Sequence, residues 1–146
     1  MNIKLNIKKS YFNEVYLPYL NNTERFTVFY GGAGSGKSVF VCQKLILKLL
    51  KYPKRTLLVI RKVSASLRDS IYQEFITHLT KFGLIDYCKV MGSSLTIYLP
   101  NESKIIFKGL DNPQKLKSIN GVSIVWLEEC SECKYEAYKE LLGRLR

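Results

Sequence analysis

Eight consecutive residues, Gly31-Gly32-Ala33-Gly34-Ser35-Gly36-Lys37-Ser38, have the types and spacing of a phosphate cradle. Four glycines let the backbone turn tightly and aim its N–H groups inward, where side chains would clash. The segment fits G-x-x-x-x-G-K-[ST] and lies between an apolar run and an amphipathic stretch, the context that motif requires. The pattern sends Lys37 to the β- and γ-phosphates of a nucleotide and the Ser38 hydroxyl to Mg²⁺. The helix starting near Lys37 turns the positive end of its dipole on the same phosphate. Gly31, Gly32, Ala33, Gly34, Ser35, Gly36, Lys37, Ser38 and Val39 are therefore the candidate cofactor-binding set, with ATP and Mg²⁺ as cofactors.

Such a loop needs a second acid near the metal, at the end of a neighbouring buried strand. Val122-Ser123-Ile124-Val125-Trp126-Leu127 followed by Glu128-Glu129 supplies one. Glu128 is expected to hold Mg²⁺ through water, and Glu129 to polarise an attacking water as general base. The competing explanation is two solvated glutamates opening the last helix, since acids favour helix N-termini.

The elements that position these groups read as follows. Phe26–Tyr30 is rich in β-formers and ends at Gly31-Gly32, the pattern of a strand entering a sharp loop. From Lys37 to Lys51, Val41, Cys42, Leu45, Ile46 and Leu49 recur at helical spacing, with Lys44, Lys48 and Lys51 opposite. Thr56–Ile60 reads as a fully buried strand, and Leu67, Ile71, Phe75, Leu79 and Phe82 form one helical stripe with His78 at its border. Leu95–Leu99 and Lys104–Lys108 alternate about Pro100-Asn101-Glu102-Ser103, which predicts a hairpin. Asp111-Asn112-Pro113 opens a short helix, Val122–Leu127 is the last strand, and Tyr135–Leu142 the last helix. The order predicts an α/β fold: a mostly parallel central sheet flanked by helices, with the hairpin as an insertion.

Composition sets the bounds. The 146 residues suffice for one core, and no apolar run approaches the roughly 20 residues that span a bilayer. The lysine-rich N-terminus lacks the apolar stretch of a secretory signal, so a cytoplasmic protein with no membrane partner is expected. Lys plus Arg number 23 against 12 acids, a formal +11, which favours a polyanion such as nucleic acid or else a solubilising surface. Lys115 and Lys117 divide the same way, between a DNA- or phosphate-facing loop and a solvated one. Cys130-Ser-Glu-Cys133 is a lone CxxC, and with Cys42 and Cys88 it reads as free thiols rather than a zinc site.

With both motifs placed, the sequence resembles the N-terminal ATPase domain of phage terminase large subunits, of the PBSX type. The likeness runs through Phe29-Tyr30-Gly31-Gly32, Gly34–Ser38, Leu67-Arg68-Asp69-Ser70-Ile71-Tyr72, Lys108-Gly109-Leu110-Asp111, Lys117-Ser118-Ile119 and Trp126-Leu127-Glu128-Glu129. The resemblance implies a P-loop NTPase fold of the ASCE type and an ATP-driven translocase pushing double-stranded DNA into a procapsid. Implied partners are a portal protein, a small terminase subunit and further copies of the chain in a ring. It also implies that residues 1–146 are the ATPase part of a longer chain, without the nuclease domain and the coupling strand that follow in the family. Many relatives carry arginine where this chain has Ala33. A charge-stabilising arginine is then sought in Arg61, Arg68, Arg144 or a neighbouring subunit, and low turnover is expected in isolation. Glu128 stands where aspartate is commoner. By the same analogy Phe12, Tyr16 and Arg25 are candidates for the adenine pocket, against an aromatic segment that only packs on the sheet. Two other functions share these features: a helicase- or recombinase-like ATPase, and an assembly module with little hydrolysis.

Overall fold

The computed structural model describes residues 3–111 and 113–145. Strand β1 (Thr56–Arg61) is its axis. Thr56 through Ile60 are all buried, as a run without polar alternation must be when both faces of a strand are covered. On one side β1 pairs in parallel with β4 (Lys104–Gly109), in register from Thr56↔Lys104 to Arg61↔Gly109. On the other it pairs in parallel with β5 (Ile124–Leu127), from Leu57↔Ile124 to Ile60↔Leu127. The antiparallel strands β3 (Thr96–Tyr98) and β2 (Lys89–Met91) extend the sheet beyond β4. Among the described residues this makes a five-stranded sheet of order β2-β3-β4-β1-β5.

Side chains of β1 alternate between two cores. Leu57 and Val59 join Ile105, Phe107 and Trp126 beneath α1 (Lys37–Lys51) and α2 (Gln73–Lys81). Leu58 and Ile60 turn the other way, onto Leu116 of α3 (Pro113–Lys117) and Leu141 of α4 (Tyr135–Leu142). The result is three layers around one sheet. Among the described residues no helix is long and apolar enough to cross a membrane.

Four local expectations change. The hairpin exists, with Ile97 opposite Ile105, but it is no insertion: its second strand, β4, is the parallel neighbour of β1. Phe26–Tyr30 carries no strand pairing in the sheet. Val28 and Tyr30 stand 74% and 93% exposed, and the segment is tethered through Phe29, edge-on to Phe40 at 5.5 Å and to Tyr16 at 6.2 Å. A β-forming composition expresses a fit to a pleated surface, and here no strand lies alongside to provide one. The helix read across Leu67–Phe82 is divided into a π-turn (Arg68–Tyr72) and α2, and a 3-10 turn (Ser64–Ser66) precedes it. His78 is buried rather than bordering the stripe, with Nε2 2.8 Å from Oε1 of Glu74. Burial outweighs that carboxylate and lowers its pKa. Asn112 of the predicted helix start lies outside the described residues.

The end of β4 sets a close contact. Ser64 Oγ donates to Asp111 Oδ1 at 2.5 Å, and the Ser64 N–H reaches both carboxylate oxygens at 3.2 Å. That hydroxyl is the main reason the Asp111 carboxyl sits below its ordinary pKa. Gly109 lies directly under the clasp: a Cβ there would fall 2.3 Å from Asp111 Oδ1 and 2.4 Å from the Ser64 backbone nitrogen. Gly109→Ala is expected to lower unfolding free energy by about 2 kcal/mol or more, read as a reduced urea midpoint at unchanged slope. A midpoint equal to wild type would show that the clasp opens without cost.

Candidate functional site

The glycine-rich loop ends at Gly36, which caps α1 with φ of 78°. A side chain there would be strained in that left-handed conformation and would meet the Tyr16 ring at 3.8 Å. Lys37, the first residue of α1, folds back over the loop. Its ammonium donates to the Gly31 carbonyl at 2.8 Å, the Gly32 carbonyl at 2.7 Å and Ser35 Oγ at 2.9 Å. A cation is thereby held at the mouth of a ring of backbone groups, the position from which it can meet a phosphate oxygen.

Ser38 Oγ donates to Glu128 Oε1 at 2.6 Å, across 90 residues of sequence. The contact follows from the sheet. Pairing with β1 fixes β5, the Glu128 N–H donates to the Ile60 carbonyl at 2.9 Å, and Glu128 emerges beside the first turn of α1. A hydroxyl and a carboxylate converging on one point form a hard oxygen pair of the kind Mg²⁺ takes, leaving waters and phosphates to complete its shell. The pair fits the ion.

Glu129 is exposed and adopts φ 53°, ψ 49°, a left-handed conformation that is uncommon for a residue with a side chain. Its carboxylate is taken by Arg61, the last residue of β1. Nη2 lies 2.8 Å and Nε 3.2 Å from Oε2, while Nη1 reaches Ser70 Oγ at 2.9 Å. Ser38, Glu128, Glu129, Arg61, Ser70, Asp69 and Glu74 line one open cleft of about 360 Å³.

The structure thus brings together Ser38, Glu128, Glu129 and Arg61 in one cleft, while the Lys37 side chain lies over the glycine-rich loop. It sends the other arginines elsewhere. Arg68 donates to the Gly92 carbonyl at 2.7 Å, and Arg144 joins α4 to α3 through the Leu116 carbonyl at 2.8 Å and Glu140 at 3.1 Å. Neither lines the cleft. Of the three candidates for the adenine pocket, Phe12 is buried against Phe82, with ring centroids 6.2 Å apart, so it serves the core. Arg25 lies over the Phe26 ring at 5.5 Å. Tyr16 does touch the loop: its ring stacks on Phe40 at 4.9 Å and its hydroxyl donates to the Ser35 carbonyl at 2.9 Å. Val39 is partly exposed on the first turn of α1.

Ser70 went unread in the sequence as a site residue, although three serines (Ser64, Ser66, Ser70) cluster within nine residues of Arg61. The four cysteines are free thiols. Burial pushes Cys88 up to about 11 and raises Cys133 as well. Among the described residues no group of three or more His, Cys, Asp or Glu side chains could hold a metal.

Comparison with known proteins adds a family. The phage terminase large subunit family matches residues 23–146. The PBSX phage terminase large subunit of Bacillus subtilis (strain 168) is 46% identical over 135 residues, covering 92% of this chain and 31% of that protein. The large terminase subunit of Bacillus phage SPP1 is 35% identical over 114 residues, 75% of this chain and 27% of that protein. The chain therefore spans less than a third of the length of either relative.

The Tyr16 hydroxyl supports the loop through one half-exposed hydrogen bond. Tyr16→Phe keeps the ring on Phe40 and is expected to cost about 0.5–1 kcal/mol of stability, whereas Tyr16→Ala, which also loses the stack, costs more. Equal melting temperatures for wild type and Tyr16→Phe would remove the hydroxyl from the support of the loop.

Proposed function

This chain belongs to the phage terminase large subunit family, and from that premise and the geometry of its loop we propose that it is a P-loop ATPase. On this reading it binds ATP·Mg²⁺ and hydrolyses it to move double-stranded DNA into a procapsid. The observation that carries the proposal is the 2.6 Å contact between Ser38 and Glu128. It joins the end of the glycine-rich loop to a strand-end acid 90 residues away, the two groups a nucleotide-bound Mg²⁺ needs.

The residues divide the work by position. The backbone of Gly31–Gly36 would surround the phosphates, Lys37 would leave its three loop acceptors for phosphate oxygens, and Ser38 with Glu128 would hold the ion. Bound Mg²⁺ neutralises charge developing on the transferred phosphate. Glu129, one residue beyond Glu128, would take the proton of the attacking water. Ala33 offers no charge to the loop, and Arg61 is already engaged by Glu129. We therefore assign the charge-stabilising arginine to a neighbouring subunit, which makes slow turnover the natural state of a separate chain.

Duplex DNA as partner is supported by the net charge of +11 and by Lys115 and Lys117, both exposed on α3. The portal protein, the small terminase subunit and the ring of copies belong to the same proposal. They rest on family membership.

Titration calorimetry with ATP·Mg²⁺ and a phosphate-release assay test the reading together. Lys37→Ala should weaken binding by at least about tenfold. Glu129→Gln should bind as wild type does while losing roughly a hundredfold or more in turnover. Wild type that binds no nucleotide would end the proposal, and a Glu129→Gln variant as fast as wild type would end the assignment of the base.

A further inference from the structure

Glu129 holds an unusual backbone conformation in an exposed position, and among the described residues Arg61 is the hydrogen-bond partner of its carboxylate. The direction of that carboxylate therefore depends on what fixes Arg61. One end of the guanidinium, Nε and Nη2, is used on Glu129 Oε2. The other nitrogen, Nη1, meets Ser70 Oγ at 2.9 Å and the Ser66 carbonyl at 3.4 Å. Side chains of Arg61 and Glu129 are 21% and 44% exposed, so the pair is half in solvent and would swing if held at one end only.

Ser70 is suited to hold that end because its own proton is committed. The hydroxyl donates to the Ser66 carbonyl, and a hydroxyl has one proton and two lone pairs. What remains is an acceptor aimed at Arg61. The π-turn creates the arrangement: the Tyr72 N–H bonds to the Leu67 carbonyl at 3.1 Å, a five-residue span. The wider turn keeps Leu67, Ile71 and Phe75 buried while it places Ser70 within hydrogen-bond reach of Arg61. Upstream, the clasp of Asp111 on Ser64 anchors the start of the same strap.

We infer that Ser70 is a positioning residue for Glu129, acting through Arg61, and that the π-turn exists to present it. The inference rests on the reading of Glu129 as general base. It adds that the aim of the base is set by the segment after β1 as well as by β5.

The test uses the 146-residue chain as wild type, Ser70→Ala, Ser70→Thr, Glu129→Gln and Ser70→Ala/Glu129→Gln. Ser70→Ala should lower kcat roughly tenfold, the scale of a lost hydrogen bond to a charged group, with the dissociation constant for ATP·Mg²⁺ unchanged. Ser70→Thr, which keeps the hydroxyl, should recover most of the rate. On the Glu129→Gln background the serine change should cost nothing further, since both act through one group. A second readout needs no turnover: by NMR in the unliganded protein, Arg61 Nε–H should exchange slowly in wild type and Ser70→Thr, and fast in Ser70→Ala. The inference is overturned by a Ser70→Ala kcat equal to wild type, by equal losses with and without Glu129, or by a threonine variant no better than alanine. If wild type binds no nucleotide, the reading of the base falls by itself. The exchange measurement then still decides whether Ser70 holds Arg61, and fast exchange in wild type would refute it.

Discussion

The register of β1 is the constraint on which the site depends. Its parallel pairing with β5 puts Glu128 beside Ser38 and brings Arg61 next to Glu129. Its parallel pairing with β4 brings Gly109 level with Arg61, where the clasp of Ser64 and Asp111 closes over the glycine. β1 contributes one polar side chain to the site, Arg61, yet it determines where the others emerge. Binding and chemistry gather at the carboxyl ends of parallel strands because the loops there start from fixed points and end at helix N-termini.

Burial makes that register unique. Leu57 and Val59 face one core, Leu58 and Ile60 the other, and both cores are covered by helices. The first core is the larger and includes the apolar face of α1, so the helix that starts at Lys37 is held in place well away from the loop it follows. Tyr16 adds a local support, reaching the Ser35 carbonyl from the N-terminal segment.

Much of this was legible in the residues. The loop, α1 from Lys37 to Lys51, β1, and the acid pair after the last strand all follow from local pattern, because period and turn chemistry are local properties. Three features were not legible, for one shared reason: they depend on what lies alongside. β4 alternates like a hairpin strand, and nothing in Lys104–Lys108 says that its far edge meets β1. Phe26–Tyr30 has a strand's composition and no strand beside it. The stripe from Leu67 to Phe82 is unbroken, because a π-turn leaves the apolar spacing almost intact while it redirects the polar side chains between. Arg61 was readable as a cation near the site, but its engagement by Glu129 follows only from the pairing of β1 with β5.

The alternation along β1 also has a consequence for error. A parallel strand cannot shift by a fraction of a residue: its ladder re-forms only after a step of about 3.3 Å, which turns every side chain to the opposite face. For the backbone of Arg61 the intermediate positions are absent. It meets Glu129, or it stands one residue away pointing into the other layer. The backbone position from which Arg61 reaches toward Glu129 is therefore quantised, with the tolerance of a hydrogen-bonded ladder rather than that of a loop. Damage to either core would reach the site as a loss in the number of competent molecules, while each molecule that keeps its register keeps its full geometry.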